Sequence, residues 1–281
     1  MDRYLVVMLF VAFVHIANVE STAQKVFDVH LSDESISEVN DLAETSRPFA
    51  RCFLPDPVKA TGRVIVALPG GGYQDLMFKH EGYDWAPFFN EQGVALIVLH
   101  YRMPEGNLKT PISDVKRTFD IIQKKAEKWG INPSKIGVMG FSAGGHLAAT
   151  ISTHPEFGAH PEFQILFYPV ITMDRSYTDI GSRNRFLGSN PSAEMVEAYS
   201  CEKQVSEDTP PTILFLSSDD NVVSSSNSIQ FYSALLKKRV SGSIHAYPST
   251  WHGWGANKDF PFAEDVCTSL LHWLRILDTP H

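Results

Sequence analysis

The sequence predicts an α/β protein with a mostly parallel central sheet and helices on both faces. Two observations lead there. Short runs rich in Val, Ile, Leu and Phe alternate with segments of helical apolar spacing. The runs are apolar at nearly every position rather than at every second one, as in strands covered on both sides.

Taken in order, Val64–Leu68 and Val94–Leu99 read as buried strands. Ile112 to Trp129 reads as a helix, with Ile112, Val115, Phe119 and Ile122 on one face and Gly130 at its end. Ile136–Met139 is a strand and Ala143 to Ile151 a helix. Phe163–Phe167 and Ile213–Leu216 are strands, and Ser226 to Lys237 is a helix. Ser243–Tyr247 is the last strand, and Ala263 to Leu277 is a closing amphipathic helix. Residues 172–211 break the alternation and read as an excursion over the sheet, in the manner of a partial lid.

The chain has 281 residues, 43% hydrophobic and 20% charged, which suits one sizeable core. No repeat or long linker divides it, so residues 24–281 are expected to form a single domain. The net charge is -8 and there is no basic run, which argues against a nucleic-acid surface. The three cysteines, Cys52, Cys201 and Cys267, lie far apart without metal-ligand spacing. Their pairing stays open: two could bridge in an exported protein, or all three could be small buried hydrophobes.

Tyr4–Ala17 is almost wholly apolar but shorter than the roughly 20 residues a membrane span needs. It suits the apolar region of a secretory signal, and Ser21-Thr22-Ala23 offers a small-x-small cleavage site. Residues 1–23 are therefore expected to be a signal peptide cut after Ala23. The mature chain is expected to be secreted or periplasmic, with no stable membrane span.

The chemistry gathers at strand ends. Gly140-Phe141-Ser142-Ala143-Gly144 is a G-x-S-x-G pattern between a strand and a helix. That context makes it a nucleophile elbow, in which a sharp turn lifts a serine hydroxyl above the sheet. A serine hydroxyl needs a base to take its proton. His252 lies past the last strand, with Gly253 leaving room for the ring, whereas His146 and His245 sit in the elbow helix and on a strand. Asp219 and Asp220 follow the strand before it. The order serine, acid, histidine is the one the elbow architecture requires. From the residues alone, either aspartate could orient the histidine.

Leu68-Pro69-Gly70-Gly71-Gly72-Tyr73 follows the first strong strand. Consecutive glycines let backbone N–H groups face a cavity without intervening side chains. The N–H groups of Gly71, Gly72 and Ala143 are the candidate oxyanion donors. Tyr73, Trp251 and Trp254 are candidate sugar-stacking rings. No HExxH or other metal spacing appears, so neither a metal nor a cofactor is expected.

These motifs resemble a known family. Pro69-Gly-Gly-Gly-Tyr73, Glu81-Gly82, Tyr101-Arg102, Gly140-Phe-Ser-Ala-Gly-Gly-His-Leu-Ala148, Asp219-Asp-x-Val-Val223 with Asn227-Ser228, and Tyr247-Pro248 with His252-Gly253 occur in order. Together they look like the α/β-hydrolases related to bacterial feruloyl esterases and acetylxylan esterases, from about Phe53 to the C-terminus. The glycine loop departs from many esterases in carrying Pro69 where they carry His. In that family the acid stands three residues before a valine and shortly ahead of an Asn-Ser pair, which implies Asp220. The resemblance implies a Ser142–His252–Asp220 serine carboxylesterase. It would remove acetyl, feruloyl or other short acyl groups from a plant polysaccharide such as xylan. Rival expectations are a small-molecule esterase or arylformamidase, an exopeptidase-like hydrolase, and an inactive fold that binds carbohydrate.

Overall fold

The structure, a computed structural model, describes residues 25–39 and 47–278. The expected signal segment and its cut after Ala23 lie outside the described residues. Among the described residues nine strands form one sheet: β1 Lys25–His30, β2 Ile36–Ser37, β3 Phe49–Leu54, β4 Val64–Leu68, β5 Ala95–His100, β6 Ile136–Phe141, β7 Gln164–Phe167, β8 Thr212–Ser217 and β9 Gly242–Tyr247. Their order is β2-β1-β3-β5-β4-β6-β7-β8-β9. From β5 to β9 every pairing is parallel, while β3, β1 and β2 add an antiparallel margin.

Eight α-helices are described: α1 Ala86–Glu91, α2 Lys109–Trp129, α3 Ser142–Thr153, α4 Ile180–Leu187, α5 Ala193–Ala198, α6 Cys201–Gln204, α7 Ser226–Lys237 and α8 Ala263–Ile276. The pleat of β4 sorts them into layers. Val64, Val66 and Leu68 share one core with Ile112, Val115 and Phe119 of α2, Leu147 of α3 and Phe231 of α7. Ile65 and Ala67 share the other with Phe89 of α1 and with Val266, Leu270 and Trp273 of α8. Gly130 ends α2 as expected: its φ of +66° is one that glycine adopts without cost, and its N–H returns to the Ala126 and Glu127 carbonyls.

Three strands, β1, β2 and β3, were not anticipated. In β1 and β3, Asp28 and Arg51 sit directly opposite in register and are buried together, with Arg51 Nε 2.8 Å from Asp28 Oδ1. Charges inside short apolar runs hide these strands from a reading of hydrophobicity.

The excursion at 172–211 holds α4, α5 and α6, and it is a packed layer. Phe186, Leu187, Cys201 and Val205 enter the core. Asn227 of α7 pins its start: Oδ1 accepts the N–H groups of Ile171 and Thr172, and Nδ2 donates to the Tyr177 carbonyl. All three cysteines are free thiols. Cys201 is buried, which pushes its thiol up to about 12. No helix among the described residues is long and apolar enough to cross a membrane.

Candidate active site

Strand β6 ends at Phe141 and α3 begins at Ser142 with no intervening residue. The turn is sharp enough to force Ser142 to φ +50°, a strained value for a residue with a side chain. The glycines around it answer close approaches. A methyl group on Gly144 would lie 2.1 Å from the Leu68 carbonyl oxygen, and one on Gly140 would lie 2.4 Å from the Gly144 oxygen. The elbow helix is thereby pressed against the end of β4, where the glycine loop starts.

Three side chains form one hydrogen-bonded line. Ser142 Oγ is 2.8 Å from His252 Nε2, and His252 Nδ1 is 2.7 Å from Asp220 Oδ2. The carboxylate accepts from Nδ1–H, which leaves Nε2 free to accept from the serine hydroxyl. Asp220 is steered by its other oxygen, which accepts the N–H groups of Val222 and Val223 at 2.9 and 3.0 Å. Asp219 is exposed and donates its backbone N–H to Ser249. Of the two candidates, it is Asp220 that reaches the histidine. The Asp220 side chain is 1% exposed and that of His252 13%. The acid is desolvated while the working end of the line meets solvent.

The histidine loop is anchored from below. Ser217 Oγ, at the end of β8, donates to the Trp251 carbonyl at 2.7 Å and accepts from Trp254 Nε1 at 3.3 Å. The ring of Tyr168, just past β7, stands edge-on to His252 at 4.8 Å.

The glycine loop lies against Ser142: a methyl group on Gly70 would be 2.9 Å from Ser142 Cβ. Gly71 and Gly72 take φ +127° and +64°. Their carbonyls are occupied, by Gln74 and Asp75 at Gly71 and by Arg185 of α4 at Gly72. Among the described residues their own N–H groups donate to no protein acceptor. Ala143 lies in the first turn of α3, where backbone N–H groups lack intrahelical partners.

Two predicted substrate contacts are corrected. Tyr73 is buried, its hydroxyl 3.0 Å from His146 Nδ1 and its ring stacked on Phe186. Trp254 is buried as well, stacked on Phe260 at 4.2 Å. Neither ring has a free face, because both fill core space beneath the loops that carry the site. Trp251 is exposed. His146 also donates from Nε2 to the Tyr199 carbonyl at 2.9 Å, so it links the elbow helix to the excursion. Burial holds it down to about 4. His245 stacks on Phe215.

Sequence reasoning assigned no role to Glu81 or Tyr168. Tyr168 follows a parallel strand at its carboxyl end, a position that could have marked it. Glu81 was marked only as part of the Glu81-Gly82 motif of the resemblance, in a charged, irregular stretch that gave it no chemical role. Among the described residues no cluster of three His, Cys, Asp or Glu side chains could hold a metal ion.

Comparison with known proteins adds four findings. Residues 52–162 match the BD-FAE family. The acetylxylan esterase of Xylanibacter ruminicola is 38% identical over 263 residues, spanning 92% of this chain and 52% of that protein. Endo-1,4-beta-xylanase B of Butyrivibrio fibrisolvens is 35% identical over 212 residues, spanning 70% of this chain and 33% of that protein. The solved acetyl ester-xyloside bifunctional hydrolase from Caldicellulosiruptor lactoaceticus superposes with a TM-score of 0.79 at 30% identity, covering 89% of this chain and 96% of that one. The chain thus spans about half or less of the length of these two curated relatives.

Proposed function

The chain belongs to the α/β-hydrolase esterase family, and from that premise we propose that it is a serine carboxylesterase that removes acetyl or other short acyl groups from a plant polysaccharide such as xylan. The observation that carries the chemistry is the line from Asp220 through His252 to Ser142, with steps of 2.7 and 2.8 Å. The acetyl-xylan substrate rests on what the relatives' names say of those proteins.

In this reading Ser142 Oγ attacks the ester carbonyl while His252 Nε2 takes its proton. Asp220 keeps the imidazole in the right tautomer and stabilises the imidazolium. The carbonyl oxygen becomes an oxyanion, received by the N–H groups of Ala143, Gly71 and Gly72. The free N–H groups of the glycine loop and the N-terminal end of α3 suit a developing negative charge. Collapse expels the sugar alcohol, which takes its proton from His252. A water molecule, deprotonated by His252, then cleaves the acyl-enzyme and frees the acid. We place the mature enzyme outside the cytoplasm, on the strength of the apolar segment before Ala23.

The test is acetate release from acetylated xylan, beside hydrolysis of 4-nitrophenyl acetate, by the wild type and Ser142→Ala. Turnover of both, lowered roughly 10⁶-fold by the substitution, is expected. A second reading, hydrolysis of a smaller ester, is favoured by the burial of Tyr73 and Trp254, which removes two of the three expected sugar platforms. Turnover of 4-nitrophenyl acetate without release from xylan would select it.

A further inference from the structure

Glu81 is 2% exposed, yet the Ser142–His252–Asp220 line does not use it. Both of its oxygens are engaged. Oε2 accepts the Gly70 N–H at 2.8 Å, and Oε1 accepts the Tyr168 hydroxyl at 2.9 Å. The Tyr168 oxygen in turn accepts the Gly255 N–H at 2.8 Å. A backbone N–H can only donate, so the tyrosine's own hydrogen goes to Glu81. One carboxylate therefore joins the glycine loop to the loop that carries His252, with Tyr168 as the bridge. Packing repeats the link. A methyl group on Gly70 would meet Glu81 Oε2 at 2.8 Å and Ser142 Cβ at 2.9 Å, and one on Gly255 would meet Glu81 Cγ at 3.2 Å.

This arrangement is costly. Burial pushes Glu81 above the usual carboxylate range, against the pull of the hydrogen bonds from Tyr168 and Gly70. Tyr168 is held at φ +36°, a strained backbone for a bulky residue. A desolvated acid and a strained tyrosine meet where the serine's neighbour loop and the histidine's loop must keep their spacing.

We propose that Glu81 is a positioning residue for ester hydrolysis: through Gly70 on one side and Tyr168–Gly255 on the other, it holds the glycine loop and the His252 loop in register around Ser142. The proposal rests on the serine esterase reading above. Glu81 acts through backbone groups and touches no substrate. Its loss should therefore lower turnover and leave substrate binding alone, and a displacement of about 1 Å in such a site costs on the order of 10² in rate.

The experiment measures kcat and KM on 4-nitrophenyl acetate, and the rate of fluorophosphonate labelling at Ser142. It compares the wild type, Ser142→Ala, Glu81→Gln and Tyr168→Phe, with thermal melts on each. Glu81→Gln is expected to lower kcat and the labelling rate by about 10² while KM stays within about threefold. Tyr168→Phe keeps the carboxylate but cuts its link to Gly255, and should lower kcat by about tenfold at unchanged KM. A folded Glu81→Gln with wild-type kcat, or one whose whole loss is in KM, overturns the proposal. Should Glu81→Gln fail to fold, Tyr168→Phe decides: a fall in kcat alone supports the link and an unchanged kcat refutes it. A wild type no more active or reactive than Ser142→Ala would remove the esterase reading itself, and this proposal with it.

Discussion

Asp220 and His252 meet at 2.7 Å through one carboxylate oxygen, while the other oxygen is fixed by two backbone N–H groups. The histidine is oriented by an acid that cannot itself turn. Asp219, its sequence neighbour, points to solvent.

The two aspartates should therefore separate cleanly. Asp220→Asn preserves shape but can leave the histidine in the wrong tautomer, and kcat on 4-nitrophenyl acetate is expected to fall by about 10⁴. Asp219→Asn should stay within about twofold of wild type. Equal losses from the two would sink the assignment.

The glycines differ in what they resist. At Gly144 an added methyl would strike the Leu68 carbonyl at 2.1 Å, a backbone atom that cannot move aside alone. Gly144→Ala should cost about 3 kcal/mol or more in urea denaturation. At Gly130 the φ is +66° but no atom lies within 4 Å of an added methyl. Gly130→Ala should cost only the backbone strain, about 1 kcal/mol. A reversed ranking would mean that α3 does not press against β4 as described.

Asp28 and Arg51 form an ion pair with both side chains nearly inaccessible. Removing one partner leaves a buried charge uncompensated. Asp28→Asn is expected to cost about 3 kcal/mol. The double replacement Asp28→Leu/Arg51→Met should recover most of that loss, because the desolvation penalty then disappears from both sides. Strictly additive losses in a double-mutant cycle would rule out the coupling.

Stability should also depend on pH through His146. Its Nδ1 faces the Tyr73 hydroxyl and its Nε2 the Tyr199 carbonyl. Burial holds its pKa to about 4, below the ordinary 6.5. Between those values the unfolded chain binds a proton that the native chain refuses. The contribution is therefore complete above about pH 6.5 and is lost as pH falls toward 4, by on the order of 3 kcal/mol. His100, held to about 3 by burial, acts in the same direction, and Glu81, raised by burial, acts in the opposite one. The readout is accordingly the difference between wild type and His146→Gln in urea midpoints across pH 4 to 7. It should shrink as the pH is lowered. A difference independent of pH would show that His146 takes up its proton alike in the native and unfolded chains, against the burial described.

Much of the molecule was legible in the chain. The strands from β4 to β8 are buried on both faces, so each carries a short apolar run recognisable without knowing its neighbours, while β9, at the sheet edge, is a weaker run and only partly buried. The elbow, the aspartates and His252 stand just after three of those runs, and a parallel sheet brings such ends to one edge. The antiparallel margin was not legible. Asp28 and Arg51 read as surface charges until the register sets them face to face.

Local pattern alone determined the parallel sheet, the serine at its turn and the order of serine, acid and histidine. Those features depend on contacts between residues close in sequence or on periodicity within one segment. Only the tertiary structure decided which aromatic rings are core and which face solvent, and that Glu81 binds two loops together; for Asp220, which the resemblance had implied, it supplied the 2.7 Å contact to His252. Tyr73 and Trp254 look like rim residues beside a site, but Phe186, from the excursion, covers one and Phe260, brought back by the turn of the same loop, covers the other. Glu81 meets Tyr168 across 87 positions of chain. Such pairings are set by the closing of the fold, when desolvation makes each hydrogen bond costly to leave unmade, and no periodicity within a segment records them.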